Sequence, residues 1–562
     1  MTRDDTAAGD HNVAALHEAI AAAVPDRDCI VWRDRRLSWA DVTDRTRRLA
    51  VVLREAGLGL RGDPDPVAGP GWASPHDHVA LYLHNGNEYL EGMIGAWKAR
   101  CAPFNVNYRY VASELAYLLR DSRAAAVVFH GAFASTLAEV LPELSTVRLL
   151  LQVDDGSGAD LLPGARWYEE ALAGADPAAG ALPDPAELSP DDRYILYTGG
   201  TTGMPKGVLW RQGDFLATCL GVRGTQDELV AAARRRSGLR TLPSAPFMHG
   251  AAHWNALSAW ISGGTVLIQD DPSRLVPSDV LRTCERERAT ALQIVGDPFA
   301  RPLLDELAGG GYDLSRLRFL LSGGAILSAP VKRRWVELLP DLRIVDVLGS
   351  SETGRQAVTQ DDRRSDPGGG FEPSPAAVVL SDDLTRRLAP GDGETGWLAQ
   401  RGRVPLGYLG DEAKTRRTFP VIDGGRYAVS GDRARLKADG RIEFLGRESV
   451  TINTGGEKVF AEEVEQVLTA HPQVQDAVVA GRPSERWGQE IVAVLAARNG
   501  TAPGDRPSDD ELRAHCRASL AGYKVPKAFC WVDAVRRSPA GKPDYAWARE
   551  VAAGGSTTSS VV

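Results

Sequence analysis

The chain reads as an α/β protein: a large N-terminal region of parallel α/β subdomains with a small β-rich unit, then a small α+β domain at the C-terminus. Three observations predict this class. Short apolar runs such as Val79–Leu83 and Ala124–Phe129 alternate with helix-length stretches such as Glu88–Arg100 and Ala112–Asp121, the pattern of a parallel sheet with helices on both faces. Gly393–Arg447 is dense in turns and short strands, which suits a β-rich unit closing the large region. From Ser449 onward the pattern changes to a compact α+β unit. At 562 residues the chain is also too long for one ordinary core.

Taken in order, Asn12–Gly57 alternates helices with a short hairpin, Cys29–Trp32 then Arg36–Ser38. Asp63–Pro75 is rich in Pro, Gly and Asp and reads as an inserted loop. His76 and His78 stand in a loop before a strand, and a solvated loop is favoured over a metal site. Gly156–Pro190, built of Ala, Gly, Asp and Pro, reads as a surface excursion, and Arg234–Arg236 as the solvated face of a helix. Strands follow at Thr265–Gln269, Leu292–Val295, Leu317–Leu321 and Ile344–Val347, with a loop at Ser365–Ser374. The C-terminal unit reads as a hairpin over Thr451–Phe460, a helix over Glu462–Ala470 and strands over Val474–Gly481 and Glu490–Ala496. A helix over Asp509–Leu520 and a strand near Phe529–Val532 complete it. The junction falls at Gly446–Ser449, giving domains 1–446 and 447–562 with a disordered tail from about residue 554.

Bulk properties exclude several classes. A net charge of −9 provides no overall basic field for nucleic acid. Six scattered cysteines without a CxxC pair argue for reduced thiols in a cytoplasmic protein, against a disulfide frame or a zinc site. The acidic, polar N-terminus lacks a leader pattern, and no apolar run approaches the roughly 20 residues of a membrane span.

The stretch that organises the chain is Tyr197–Val208, YTGGTTGMPKGV, with four glycines, three threonines and Lys206 behind the β-prone run Tyr194–Tyr197. Glycines let backbone N–H groups turn toward a ligand, threonine hydroxyls add short donors, and the lysine adds a mobile charge. That combination suits a polyphosphate. It is not a Walker A loop, because Lys206 follows Gly203 by three residues and precedes Gly207.

This segment resembles the phosphate loop of the AMP-forming adenylating enzymes, which include acyl- and aryl-CoA ligases, carrier-protein adenylation domains and luciferases. The resemblance extends from about Asn12 to Arg549, and further family motifs follow in the right order. It implies that Thr198, Gly199, Gly200, Thr201, Thr202, Gly203 and Lys206 bind the phosphates of ATP. His249, in APFMHG, is similar to the histidine near the acid group, with His253 and Trp254 as candidate lining of the acid tunnel. Gly323, Gly324 and Ala325 fit the turn where adenine and acid pass close to backbone, a reading compatible with a plain tight turn. GSSETG, Gly349–Gly354, occupies the place of the aromatic-G-x-T-E motif: Glu352 would hold Mg2+ and Ser351 would contact phosphate. The family's adenine-stacking tyrosine is here Leu348, so the adenine needs another partner. Asp432, in Ser430-Gly431-Asp432, and Arg447 would bind the ribose.

Past the junction the hinge position is Ser449, where the family usually carries Asp or Lys. Gly455, Gly456 and Glu457 resemble the loop lining the thiol tunnel, Trp487 matches a position against the adenine of CoA, and Lys542 matches the catalytic lysine of adenylation. The implied mechanism is sequential. With Lys542 inward the acid displaces pyrophosphate; the C-terminal domain, a mobile cap, then swings and CoA takes the acyl group, releasing AMP.

The motifs Gly349–Gly354, Pro405–Tyr408 and Val450–Phe460 look closest to bacterial fatty-acid and steroid-side-chain CoA ligases. Alternatives with the same ATP motifs are a diazotase that adenylates nitrite and passes the nitroso group to an aryl amine, and a ligase loading a carrier protein. A non-enzymatic nucleotide-binding relative is disfavoured by the joint presence of Glu352 and Lys542. The oligomeric state is left open, a homodimer included.

Overall fold

The computed structural model describes residues 10–65, 70–178, 182–199, 204–324, 327, 329–365, 370–447, 451–469, 471–498, 505–536 and 544–554. Two compact units emerge. The first comprises the segments up to Tyr108, Leu118–Tyr197 and Gly207–Gly446; the second comprises Arg109–Tyr117, Thr198–Lys206 and Arg447 onward.

Two largely parallel sheets dominate the first unit. One has five strands in the order Ala102–Asn105, His78–Tyr82, Ala124–His130, Leu149–Val153, Arg166–Trp167, all parallel. Both flanks of these strands are covered, so they read as continuous apolar runs without alternation. The other sheet has nine strands around a parallel core of Arg343–Ser350, Phe319–Gly323, Ala291–Ile294, Arg240–Pro243, Thr265–Ile268 and Asp28–Trp32. Antiparallel strands flank this core, Gly354–Asp361 and then Glu372–Pro373 at the edge on one side and Arg35–Ser38 on the other.

Helix starts follow local chemistry. Ser38 accepts the Asp41 N–H while the Asp41 carboxylate takes the Ser38 N–H, a capping box that opens Trp39–Glu55. Thr225 and Glu228 repeat the device for Gln226–Arg235, whose terminal arginines are exposed as expected. Trp39, Trp97, Trp210 and Trp335 are fully buried in the first unit.

A third, antiparallel sheet is built on Ala377–Leu380, Thr395–Arg401 and Gly425–Leu436, so the β-rich unit starts ahead of the Gly393 boundary drawn from turn density. Along one of its ladders Trp397 faces Arg433 but Ala399 faces Val429, so Ser430–Asp432 loop out as a wide bulge with Gly431 at φ +92°.

Two expectations are corrected. His76 and His78 do not sit in a solvated loop: both are buried, and each donates from Nδ1 to a backbone carbonyl, of Arg100 and Ser122. Gly156–Pro190 is more than an excursion, since Arg166–Trp167 joins the five-stranded sheet and Tyr168–Ala173 is a helix.

The second unit contains a sheet in the order Glu457–Phe460, Thr451–Thr454, Gly488–Ala497, Val474–Ser484, with Ala528–Val532 running parallel to Gly488–Ala497. Ala461–Thr469 and Asp509–Arg517 pack on it through Val464, Leu468, Leu512 and Cys516. Among the described residues no helix is long and apolar enough to cross a membrane, and no cluster of three or more His, Cys, Asp or Glu is placed to hold a metal.

Candidate active site

The Gly/Thr segment lies between two hydrogen-bonded neighbours, the strands Arg193–Gly199 and Pro205–Arg211. Thr198 is half-buried at the end of the first, Gly199 closes that strand, and Lys206 is half-buried in the second. Gly200, Thr201, Thr202 and Gly203 lie outside the described residues. Gly207 has a packing reason to be glycine: a Cβ there would meet the Tyr197 ring and Ile195 at 3.0–3.1 Å.

GSSETG folds as the tight turn joining Arg343–Ser350 to Gly354–Asp361. A Cβ on Gly349 would sit 2.0 Å from the Gly354 carbonyl oxygen, and Gly354 has φ +65°, so both glycines are demanded by the turn. Buried Thr353 accepts the Ser350 N–H at 3.0 Å and tightens it. At its tip the Ser351 carbonyl accepts the Trp210 indole N–H at 3.0 Å, and Glu352 Oε1 accepts the Tyr408 hydroxyl at 2.8 Å. Tyr408 belongs to the short strand Gly407–Tyr408, which pairs with Val208 and Leu209 just past Lys206. Val208–Trp210 and the Glu352 turn are therefore joined through the Trp210 indole and the Tyr408 hydroxyl. Leu348 is partly buried against Ala357, Val379 and Leu398.

His249 is the N-cap residue of Gly250–Ile261 and makes no side-chain capping bond, so the helix starts without that partner for its first N–H groups. One turn on, the Trp254 indole donates to the Tyr194 hydroxyl at 3.0 Å, that hydroxyl donates to His253 Nε2, and His253 Nδ1 donates to the Phe247 carbonyl at 2.7 Å. Only neutral imidazole satisfies this chain, and burial pushes His253 down to about 4. Trp254 is thus fixed by polar bonds at one end and packed on Phe215 at the other.

Gly324 has φ +91° at the end of Phe319–Gly323, as a backbone-lined turn requires, while Ala325 lies outside the described residues. Asp432 is buried in the bulge and accepts the Ser430 hydroxyl at 3.0 Å.

In the second unit, Gly455 and Gly456 are the two central residues of the hairpin Thr451–Phe460, with φ +60° and +84°, a type I′ turn. Trp487 covers it: the Gly455 N–H donates to the Trp487 carbonyl at 2.9 Å, and a Cβ on Gly455 would meet the indole at 2.9 Å. Glu457 Oε1 pairs with Arg109 at 2.9 Å within the same unit. Arg447 ends the strand Ile442–Arg447, its side chain outside the description; Ser449 and Lys542 lie outside it altogether.

Sequence motifs do not reveal Trp210, the phenol of Tyr408 as a partner of Glu352, or two buried asparagines, Asn85 and Asn105. Their partners lie far off in sequence, and an asparagine at the end of an apolar run is the one local signal.

Residues 17–409 match the AMP-binding enzyme family and residues 463–542 its C-terminal domain. The chain is 50% identical over 555 residues to a medium-chain acyl-CoA ligase (Mig) of Mycobacterium avium, covering 97% of this chain and 98% of that one. It is 39% identical to a 3-oxocholest-4-en-26-oate–CoA ligase of Rhodococcus rhodochrous, covering 96% and 95% of the two chains. Among solved structures it resembles an amide bond synthetase (McbA) of Marinactinospora thermotolerans, with a TM-score of 0.77, 24% identity and 96% and 99% coverage; this likeness concerns the fold alone.

Proposed function

The chain belongs to the AMP-binding enzyme family, and on that premise we propose that it is an AMP-forming acyl-CoA ligase acting on a medium-chain or larger apolar acid. ATP activates the acid as an acyl-adenylate with loss of pyrophosphate, and the thiol of CoA then displaces AMP. The observation that carries this reading is the end-to-end, 50% identical relationship to a medium-chain acyl-CoA ligase. The more distant of the two curated relatives is a CoA ligase as well, which favours CoA over an amine or a carrier protein as acceptor.

The residues fit the roles. Bringing a carboxylate to the α-phosphate means overcoming like-charge repulsion, and preorganised donors lower that barrier. Thr198 and Lys206 flank the segment that takes the phosphates, and His249 with the uncapped helix start behind it suits the acid carboxylate. Asp432, held by Ser430, would take the ribose hydroxyls together with Arg447. Glu352 is the residue to hold Mg2+: it is a half-buried carboxylate oriented through one oxygen by a phenol, and hard oxygen donors suit that ion. Bound there, magnesium would supply charge neutralisation for the departing pyrophosphate. Lys542 serves the adenylation step, and Gly455–Glu457 with Trp487 serves the thiol step.

A pyrophosphate-release screen over straight-chain acids, a steroid-side-chain acid and nitrite, with and without CoA, tests the proposal. The expected result is acid-dependent pyrophosphate release, with acyl-CoA and AMP appearing once CoA is added. Nitrite-dependent AMP formation requiring an aryl amine would replace it with the diazotase.

A further inference from the structure

Two buried asparagines stand just past or at the carboxyl ends of neighbouring parallel strands, His78–Tyr82 and Ala102–Asn105. The Asn85 amide donates to the Ala245 carbonyl at 2.9 Å and accepts the Phe247 N–H at 2.5 Å. Asn105 reaches further. Its Oδ1 accepts the Tyr197 N–H at 2.7 Å, while Nδ2 donates to the Tyr197 carbonyl at 2.9 Å and to the Met248 carbonyl at 2.7 Å. These partners fix the orientation of the amide, since a flipped group would set its oxygen against two carbonyls and its nitrogen against an N–H. Both donors are used, so the buried side chain loses little by desolvation.

The two partners of Asn105 are the last residue before the Gly/Thr segment and the residue before His249. One side chain thus holds the backbone that launches the phosphate loop and the backbone that launches the acid-binding helix. Asn85 holds only the second. No other residue type of this size offers one acceptor and two donors in a plane: aspartate has no donors when ionised, and leucine has none at all.

We propose that Asn105 is a positioning residue for adenylation, holding the Tyr197 backbone, from which the chain enters the Gly/Thr segment, in register with the Met248 backbone beside His249. This rests on the acyl-adenylate reading given above. Positioning errors of an ångström between reacting groups are costly in rate, which gives the bridge its importance.

The test compares Asn105→Ala, Asn105→Asp and Asn85→Ala in pyrophosphate release with ATP and a straight-chain acid that the wild type turns over. Asn105→Ala should lower kcat by about tenfold and raise KM for ATP and KM for the acid together. Asn105→Asp, which keeps the acceptor but loses both donors, should behave alike; Asn85→Ala should raise KM for the acid alone. An unchanged kcat, or a change in only one KM in Asn105→Ala, would overturn the coupling. Should Asn105→Ala fail to fold, Asn105→Ser carries the same comparison. Hydrogen exchange reads the bridge without turnover: residues 193–199 and 245–249 should both exchange faster in the Asn105 variant, and acceleration of only one segment, or of neither, would overturn it. A wild type that releases no pyrophosphate with any acid would count against the function instead, leaving the exchange measurement to decide the bridge.

Discussion

The Tyr408 hydroxyl donates to Glu352 Oε1 at 2.8 Å, joining residues 56 positions apart, and Lys414 Nζ lies 4.6 Å over the same phenol ring. The bond engages Oε1 of the carboxylate with the protein. Tyr408→Phe keeps the ring and its packing on Phe419 but frees the carboxylate to rotate. The expected outcome is about a tenfold loss in kcat/KM for ATP, the worth of one hydrogen bond to a charged group, with a raised magnesium requirement and little change in melting temperature. A magnesium titration of pyrophosphate release checks it; an unchanged titration would remove Tyr408 from the site.

Assigning Lys542 to adenylation alone gives an asymmetric expectation. Lys542→Ala should slow acyl-adenylate formation by about a hundredfold or more, the cost of losing one donor to developing phosphate charge. Thiolysis of a supplied acyl-adenylate by CoA should remain near the wild-type rate. Equal loss in both half-reactions, measured separately by pyrophosphate release and by thioester formation, would contradict the assignment.

Much of the fold was legible because its signals are local. The helix Ala112–Asp121 has the bounds read from its amphipathic pattern, and the hairpin Thr451–Phe460 is announced by two adjacent glycines, both needed at positive φ. The contacts that assemble the site are not local. Asn105 meets residues 92 and 143 positions away, and its place at the end of an apolar run is the one local sign of it. The bulge at Ser430–Asp432 depends on how the partner strand Thr395–Arg401 is registered, which no single segment encodes. His76 looked solvated because Pro, Asp and His surround it, yet a carbonyl of Arg100 and the N–H of Arg193 satisfy both its nitrogens inside the protein.

Those histidines make stability depend on pH in a definite direction. Burial pushes His76 down to about 3 and His253 down to about 4, against 6.5 for the unperturbed side chain. Because the folded pKa values are depressed, the unfolded chain binds more protons between about 4 and 6.5. Their contribution is therefore fully present above pH 6.5 and is lost progressively as the pH falls through that window toward 4 and 3. Unfolding at pH 5 should take up about two protons from this pair that unfolding at pH 8 does not. Chemical denaturation across that range measures the slope, and His253→Gln should reduce it; an unchanged slope would mean that His253 titrates normally in the fold.

Assigning the turn at Gly455–Gly456 to the thiol step gives the converse expectation. With φ +60° at Gly455 and the Trp487 indole 2.9 Å from where its Cβ would project, Gly455→Val combines a left-handed β-branched residue with a steric clash. The turn must open or Trp487 must move, and both lie in the part of the chain assigned to the thiol. Pyrophosphate release in the absence of CoA should stay within about twofold of wild type, while thioester formation falls by tenfold or more, the result of displacing a positioned reactant by about an ångström. Gly456→Trp, which fills the same turn, should give the same asymmetry. Stopped-flow measurement of the two steps on one preparation checks both variants, and normal CoA turnover in either would move the thiol path away from this hairpin.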